Sequence, residues 1–309
     1  MINVLFAASD ANWTTYQGSL MKSFDVLGLK VNLQREMDAK LVDYIVYAPS
    51  SELQDFTPFT NCKAVLSLWA GVEKIVGNET LTQTLCRMVD PGLTQGMVEW
   101  VTGHTLRYHL DIDANLQAQN GDWVPVVPPL ASERKVAVLG LGELGQTCAK
   151  TLSALGFNVV GWSRRPKEID RIPCYSGNDG LVQAISQSEI IVLLLPNTPE
   201  TENTLNASTI NMLPRGARII NPGRGTLIDD DALLDALNSG QIGHATLDVF
   251  RVEPLPADHP YWAHPNVTVT PHIAAETRAS TASQVIAENI RRGEVGEPLL
   301  YQVDRETGY

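Results

Sequence analysis

One stretch limits the architectures open to this chain more than any other: VAVLGLGELGQTCAKTLSALGFNVVGW, residues 136–162. An apolar run ends in Gly140-x-Gly142-x-x-Gly145. A helical stretch follows and stops at Gly156, and NVVGW makes another strand. A GxGxxG pattern alone carries little, because glycine is common. Strand, glycine turn, helix and strand in that order is the context of a dinucleotide-binding turn. The three glycines serve different ends. Gly140 permits the tight turn, Gly142 lets a pyrophosphate approach the backbone, and Gly145 lets the helix pack closely on the strand. The phosphates then meet free N–H groups at the positive end of the helix dipole.

The rest of the chain alternates in the same way. NVLFAAS (3–9), KVNLQ (30–34), YIVYAP (44–49) and AVLSLWAG (64–71) read as strands, with a helix at 14–27 ending near Gly28. Residues 94–118 carry apolar positions at helical spacing with no proline, which predicts one long helix, closed by the proline-bearing loop QNGDWVPVVPP (119–129). A second α/β series starts at KVAVLGLG (135–142) and continues through strands near 158–162, 189–195, 217–221, 245–249 and 267–270, with a closing helix at about 276–292. Such alternation implies an α/β fold with parallel sheets covered by helices. We expect two Rossmann-like domains, one flavodoxin-like and one dinucleotide-binding. The cofactor domain (99–272) is inserted in a substrate domain made of 1–98 and 273–309.

Composition narrows the function classes. Among 309 residues the formal net charge is −12, so the summed field repels nucleic acid and anionic membrane, and neither is expected as a partner. The four cysteines are scattered, with no CxxC pair, which argues against a disulfide framework and against a metal site, and suits a reducing, cytoplasmic setting. No apolar run approaches the roughly 18 residues of a membrane span. The opening MINVLFAAS has no basic region and reads as a strand rather than a signal peptide.

Two places bear on chemistry. The second strand of the glycine unit ends in Ser163-Arg164-Arg165, where an acid would hydrogen-bond the 2′-hydroxyl of NAD. An acid there repels the 2′-phosphate of NADP, whereas a serine and two arginines attract it. The expected cofactor is therefore NADP(H), with NAD(H) use still open. Downstream, ARIINPGRGTLIDDDALLDALNSGQ (217–241) places Arg224 in the loop at the carboxyl end of a strand, where open α/β sheets bind ligands. In the same stretch Asp229 is the expected helix cap and Gly240 the stop. In ATLDVFRVEPLPADHPYWAHPNVTVTPHIAAET (245–277), Asp248 and Glu253 lie just beyond one strand and His272 just beyond the next. Neighbouring parallel strands are about 4.8 Å apart, so carboxylate and imidazole can meet, and the carboxylate stabilises the imidazolium. An arginine to hold a carboxylate and a charged histidine beside a nicotinamide suit reduction of a carbonyl next to a carboxylate, with His272 as proton donor and Glu253 orienting it.

Through these residues the chain resembles the D-isomer-specific 2-hydroxyacid dehydrogenases. The likeness runs over nearly the whole length through LWAGVEKI (68–75), VLGLGELG (138–145), LLLPNTPET (193–201), INPGRGTLID (220–229) and LDVFRVEPLP with HPYWAHPNVTVTPHIAAET up to residue 277. The NADP-type loop makes it most similar to the glyoxylate/hydroxypyruvate reductase A branch. The resemblance implies Arg224, Glu253 and His272 as the catalytic set, and the Gly71 and Val72 amides, with Trp69 nearby, at the substrate carboxylate. It implies Asp248 at the nicotinamide carboxamide. The full expected cofactor set is Gly140, Gly142, Glu143, Leu144, Gly145, Ser163, Arg164, Arg165, Leu195, Pro196, Thr201, Asn221, Pro222, Gly223, Asp248, His272 and Ala274. It further implies a homodimer using the 94–129 helix and arm, and closure of the two domains around the substrate.

Two departures stand out. Trp69 occupies a position that is often small in the family, where it either narrows the pocket or packs beside it. Met97 and Trp100 also replace residues that are often smaller. The leading reading is NADPH-dependent reduction of small 2-oxo acids such as glyoxylate and hydroxypyruvate. An NAD-linked dehydrogenase of a larger acid and a non-catalytic dinucleotide-sensing protein remain as alternatives; the first would need an acid near position 163.

Overall fold

A computed structural model describes residues 1–305. Two compact units divide them: Met1–Leu93 together with the residues from Glu276 onward, and Thr94–Ala275.

The first unit holds β1 (Ile2–Ala7), α1 (Asp10–Val26), β2 (Val31–Gln34), β3 (Tyr44–Tyr47), β4 (Ala64–Ser67) and β5 (Thr84–Cys86). The sheet order is β2-β1-β3-β4-β5, and every pairing is parallel. Parallel strands are covered on both faces, so they read as unbroken apolar runs rather than alternating ones. Along β1, Val4 and Phe6 enter a core with Leu20 and Phe24 of α1 and with Ile286 and Ile290 of the closing helix, Ala279–Val295. Leu5 and Ala7 enter the opposite core with Phe56, Phe59, Ile75 and Leu81. Helix α1 starts earlier than its apolar pattern because Ser9 caps it, accepting from the Asn12 N–H at 3.2 Å. Strand β5, TLC, has only three residues and no unbroken β-branched run. The chain beyond the closing helix returns antiparallel to β5, through Arg87 N–H to Tyr301 O (3.0 Å) and Val303 N–H to Leu85 O (2.8 Å).

The second unit follows α2 (Pro91–His109) and α3 (Ile112–Gln117) with β6 (Lys135–Leu139), α4 (Glu143–Ala154), β7 (Asn158–Ser163), β8 (Cys174–Ser176) and α5 (Gly177–Ile185). It continues with β9 (Ile190–Leu193), α6 (Ala207–Asn211), β10 (Ala217–Asn221), α7 (Asp230–Ser239), β11 (Ile242–Leu247) and β12 (Val267–Val269). The order β12-β11-β10-β9-β6-β7-β8 is parallel throughout and reverses direction between β6 and β9. That switch point opens a crevice beyond the carboxyl ends of the strands, where ligands bind in such sheets.

The single helix expected over 94–118 is two. It begins at Pro91, where a ring fits the first helical turn. It breaks at Asp111, which adopts a left-handed φ of 48°. Aspartate tolerates that conformation better than most residues. Ion pairs on either side hold the break: Arg218 Nη2 to Asp111 Oδ1 at 3.0 Å, and Arg107 Nη2 to Asp113 Oδ1 at 2.7 Å. At α7 the caps are as expected: Asp229 accepts from the Ala232 N–H at 3.1 Å, and Gly240 ends the helix at φ +71°. Strand β8, three partly buried residues, escaped the periodicity altogether.

Candidate active site

The glycine turn joins β6 to α4 at the switch point. Gly140 sits at φ +107°, and a Cβ there would lie 2.4 Å from Leu194 O. A Cβ on Gly145 would lie 1.7 Å from Gly140 O, so the helix approaches the turn as closely as it does only because residue 145 is glycine. A Cβ on Gly142, the α4 N-cap, would meet nothing within 4 Å. The turn thus presents an uncovered backbone face, and the first amides of α4, from Glu143, Leu144 and Gly145, have no acceptor within the helix. Free N–H donors at a bare helix end are what a pyrophosphate requires, so the residues present fit a dinucleotide.

At the end of β7, Ser163 is 9% exposed and its hydroxyl donates to Arg165 O at 2.7 Å, which fixes the turn that projects the two arginines. Arg164 Nη1 lies 3.9 Å from Glu200 Oε2. The Glu200 carboxyl is held below the usual glutamate range by a hydrogen bond from its own backbone, by one from the Thr198 side chain and by the Arg164 charge. Glu200 is therefore an anion beside the guanidinium expected to meet a 2′-phosphate, a neighbour that sequence reasoning did not single out. The loop after β9 is tied by Thr201, whose hydroxyl donates to Pro196 O at 2.7 Å and accepts from the Thr198 N–H at 2.9 Å. Leu195 is buried at its start.

Beyond β10, Asn221 is buried and staples the Arg224 loop through both ends of its amide. Its Nδ2 donates to Arg224 O at 2.9 Å and its Oδ1 accepts from the Gly223 N–H at 3.1 Å. Arg224 is partly buried, and its Nη1 donates to Gly223 O at 2.7 Å. The loops after β11 and β12 bring Glu253 and His272 together, with His272 Nδ1 to Glu253 Oε2 at 2.8 Å. The other carboxylate oxygen accepts from the Phe250 N–H at 2.9 Å, so Glu253 is itself oriented. A carboxylate can only accept, so Nδ1 carries the hydrogen and Nε2 is the ring atom left for other chemistry. The imidazole is 53% exposed and so accessible.

His272 has φ +55°, a conformation a non-glycine residue holds only when its surroundings force it. Asp248 supplies the force. Its carbonyl accepts from the His272 N–H at 2.9 Å. Its carboxylate accepts from Thr270 Oγ1 (2.6 Å), the Ile273 N–H (2.8 Å) and the Ala274 N–H (2.9 Å). At 1% exposure it is a buried clamp on the 270–274 loop. A carboxylate has about four acceptor positions, so only one remains for the nicotinamide contact expected of it. Two parts of this clamp, Thr270 and the backbone of 273–274, gave no signal in the sequence beyond lying near the histidine expected to be the proton donor.

In the first unit, the 68–75 stretch follows β4. Trp69 is 38% exposed with Lys74 Nζ 5.8 Å from its ring centroid, so it is not a core residue. Val72 is buried and its carbonyl accepts from the Ile75 (3.0 Å) and Val76 (2.8 Å) N–H groups. Among the described residues, neither the Gly71 nor the Val72 N–H donates to a protein acceptor. In the second unit Met97 is buried in the core, and the Trp100 and His104 rings pack with centroids 4.3 Å apart. Among the described residues no cluster of three or more His, Cys, Asp or Glu suits a metal.

Residues 104–274 match the family model described as D-isomer specific 2-hydroxyacid dehydrogenase, NAD binding domain. A curated relative, "Glyoxylate/hydroxypyruvate reductase A" of Yersinia enterocolitica, is 38% identical over 284 residues, covering 89% of this chain and 90% of that protein. The crystal structure of a D-isomer specific 2-hydroxyacid dehydrogenase from Xanthobacter autotrophicus Py2, in complex with NADPH and MES, superposes with a TM-score of 0.91 at 41% identity, covering 100% of this chain and 99% of that one. An NADPH-dependent glyoxylate/hydroxypyruvate reductase from Sinorhizobium meliloti, in complex with NADP and sulfate, superposes with a TM-score of 0.86 at 31% identity, with both chains covered completely (100%).

Proposed function

The chain belongs to the D-isomer specific 2-hydroxyacid dehydrogenase family, and from that premise we propose that it reduces small 2-oxo acids, glyoxylate and hydroxypyruvate among them, with NADPH. The observation that carries the reading is the His272–Glu253 pair, 2.8 Å apart at the carboxyl ends of β11 and β12. The cofactor, when bound, supplies the hydride to the carbonyl carbon. The Gly142–Gly145 turn receives its pyrophosphate, and Ser163, Arg164 and Arg165 receive the 2′-phosphate. Leu195, Pro196, Thr201, Asn221, Pro222, Gly223 and Ala274 complete its surroundings.

The protein's own residues do the rest. Arg224 holds the substrate carboxylate and polarises the carbonyl with its planar fork of donors. The Gly71 and Val72 N–H groups, which donate to no protein acceptor among the described residues, are the donors that the resemblance implies for a substrate carboxylate. His272 gives the Nε2 proton to the carbonyl oxygen as it becomes a hydroxyl, and Glu253 keeps the ring turned and its positive charge balanced. Asp248 holds the loop on which His272 stands.

Support for a homodimer comes from the 119–129 arm, which leaves Trp123 95% and Val127 88% exposed with Val124 and Val126 beside them. An apolar strip of this kind marks an association surface. All four cysteines are free, which suits a cytoplasmic enzyme. Among the described residues no helix is long and apolar enough to cross a membrane.

The test of the mechanism is His272→Gln. Loss of a general acid lowers kcat by about 10²-fold or more while NADPH affinity stays nearly intact. Unchanged turnover would remove His272 from the proton-donor role.

A further inference from the structure

We propose that Arg305 is a positioning residue for the substrate-carboxylate loop, bracing it from the C-terminal tail. Three backbone carbonyls of one loop converge on this guanidinium. Nε and Nη2 donate to Val76 O (3.4 and 3.3 Å), Nη2 also to Asn78 O (2.7 Å), and Nη1 to Leu81 O. Arginine has five donors in a rigid fork, so one side chain can satisfy several acceptors that a lysine would meet singly.

The loop so held is continuous with Gly71 and Val72. Val72 O accepts from the Ile75 and Val76 N–H groups, and the Asn78 N–H returns to Ile75 O at 3.0 Å. These bonds hold the Val72–Glu73 peptide, which directly follows the peptide that carries the Val72 N–H, so the placement of residues 76–81 biases the direction of the Gly71 and Val72 N–H groups. The tail that carries Arg305 is itself anchored at the sheet edge. Tyr301 and Val303 pair with the backbone on either side of Cys86, and the Val303 side chain packs on the core that contains Ile75 and Leu81. Arg305 thus spans from the edge of β5 to the loop that follows Gly71 and Val72. The inference rests on the proposed assignment of those two amides to the substrate carboxylate.

The test uses the full chain carrying Arg305→Ala or Arg305→Lys. In Arg305→Ala the KM for glyoxylate rises about tenfold, the loss expected from one weakened hydrogen bond to a charged group, while the KM for NADPH stays within about twofold. Amide hydrogen exchange over residues 71–78 speeds up by a similar factor, with β1 and β3 unchanged. Arg305→Lys falls between Arg305→Ala and the wild type in both readouts. A variant that only melts earlier, with wild-type exchange at 71–78 or an unmoved glyoxylate KM, would overturn the proposal. If the wild type reduced no 2-oxo acid, the functional reading would fall. Wild-type exchange at 71–78 in Arg305→Ala would then still refute the brace, and accelerated exchange would still support it.

Discussion

Replacing Asp248 by Asn removes a charge while keeping the shape, and the structure sets the size of the effect. The carboxylate accepts from Thr270 Oγ1, the Ile273 N–H and the Ala274 N–H. In the better orientation, the Asn oxygen keeps the first two partners and its NH2 group faces the Ala274 N–H. One buried donor is then left without an acceptor, since Ala274 is only 4% exposed, and the two remaining bonds lose their charge assistance. Hydrogen bonds to charged groups contribute about 1.5–3 kcal/mol each, so the loop loses about 3 kcal/mol of support. Holding a non-glycine residue in a left-handed conformation costs on the order of 1–3 kcal/mol, which is what His272 requires. The loss matches or exceeds that requirement, so the 270–274 loop relaxes and the imidazole moves. Misplacing a catalytic group by about 1 Å costs roughly 10²-fold in rate. We therefore expect kcat for glyoxylate to fall about 10²-fold, with the Kd of NADPH, measured by fluorescence titration, within about threefold of wild type. A kcat within threefold of wild type would refute the clamp. A large rise in the NADPH Kd with kcat retained would show instead that the main duty of Asp248 is to the cofactor.

Further outcomes follow from the same contacts. Arg164→Ala should lower kcat/KM for NADPH about tenfold or more, one charge-assisted hydrogen bond lost, and leave NADH nearly unchanged; steady-state rates with both cofactors decide it. Glu200→Gln removes an anion from the side of Arg164 and should lower the KM for NADPH selectively, by at most a few-fold because the pair is exposed. His244 is buried with Nε2 2.9 Å from Thr268 Oγ1, and burial together with the Arg107 and Arg218 charges pushes it down to about 4 from 6.5. The unfolded chain then binds a proton below about pH 6.5 that the folded one refuses until about pH 4. His244 therefore costs no stability above that window and progressively more within it, on the order of 2 kcal/mol in all after allowance for solvent screening. Urea unfolding at pH 7 and pH 5 should show a smaller acid loss in His244→Asn than in wild type; equal losses would contradict the assignment.

The parts legible in the sequence were those written locally. The glycine turn declares itself because strand, turn and helix are contiguous, and the cap and stop of α7 are one residue each. Arg224, Glu253 and His272 could be placed at neighbouring strand ends because each follows a recognisable apolar run. What stayed hidden depends on partners distant in the chain. The break at Asp111 is held by Arg218, 107 residues away, so the helical periodicity runs through it unmarked. Strands β5 (TLC) and β8 (CYS) have three residues each and, unlike the equally short β12 (VTV), no unbroken β-branched run to mark them. The clamp role of Asp248 needs backbone donors 25 and 26 residues downstream, and backbone groups carry no sequence signal. The Arg305 contact spans 224–229 residues and likewise ends on carbonyls.

Ser163, Arg164 and Arg165 are proposed to select NADPH for a reduction in which His272 gives the proton. Initial rates of absorbance loss with glyoxylate, taken with NADPH and with NADH under identical conditions, test it most directly. We expect a kcat/KM at least about tenfold higher with NADPH. Equal or better use of NADH, or no turnover with glyoxylate, hydroxypyruvate or pyruvate, would contradict it.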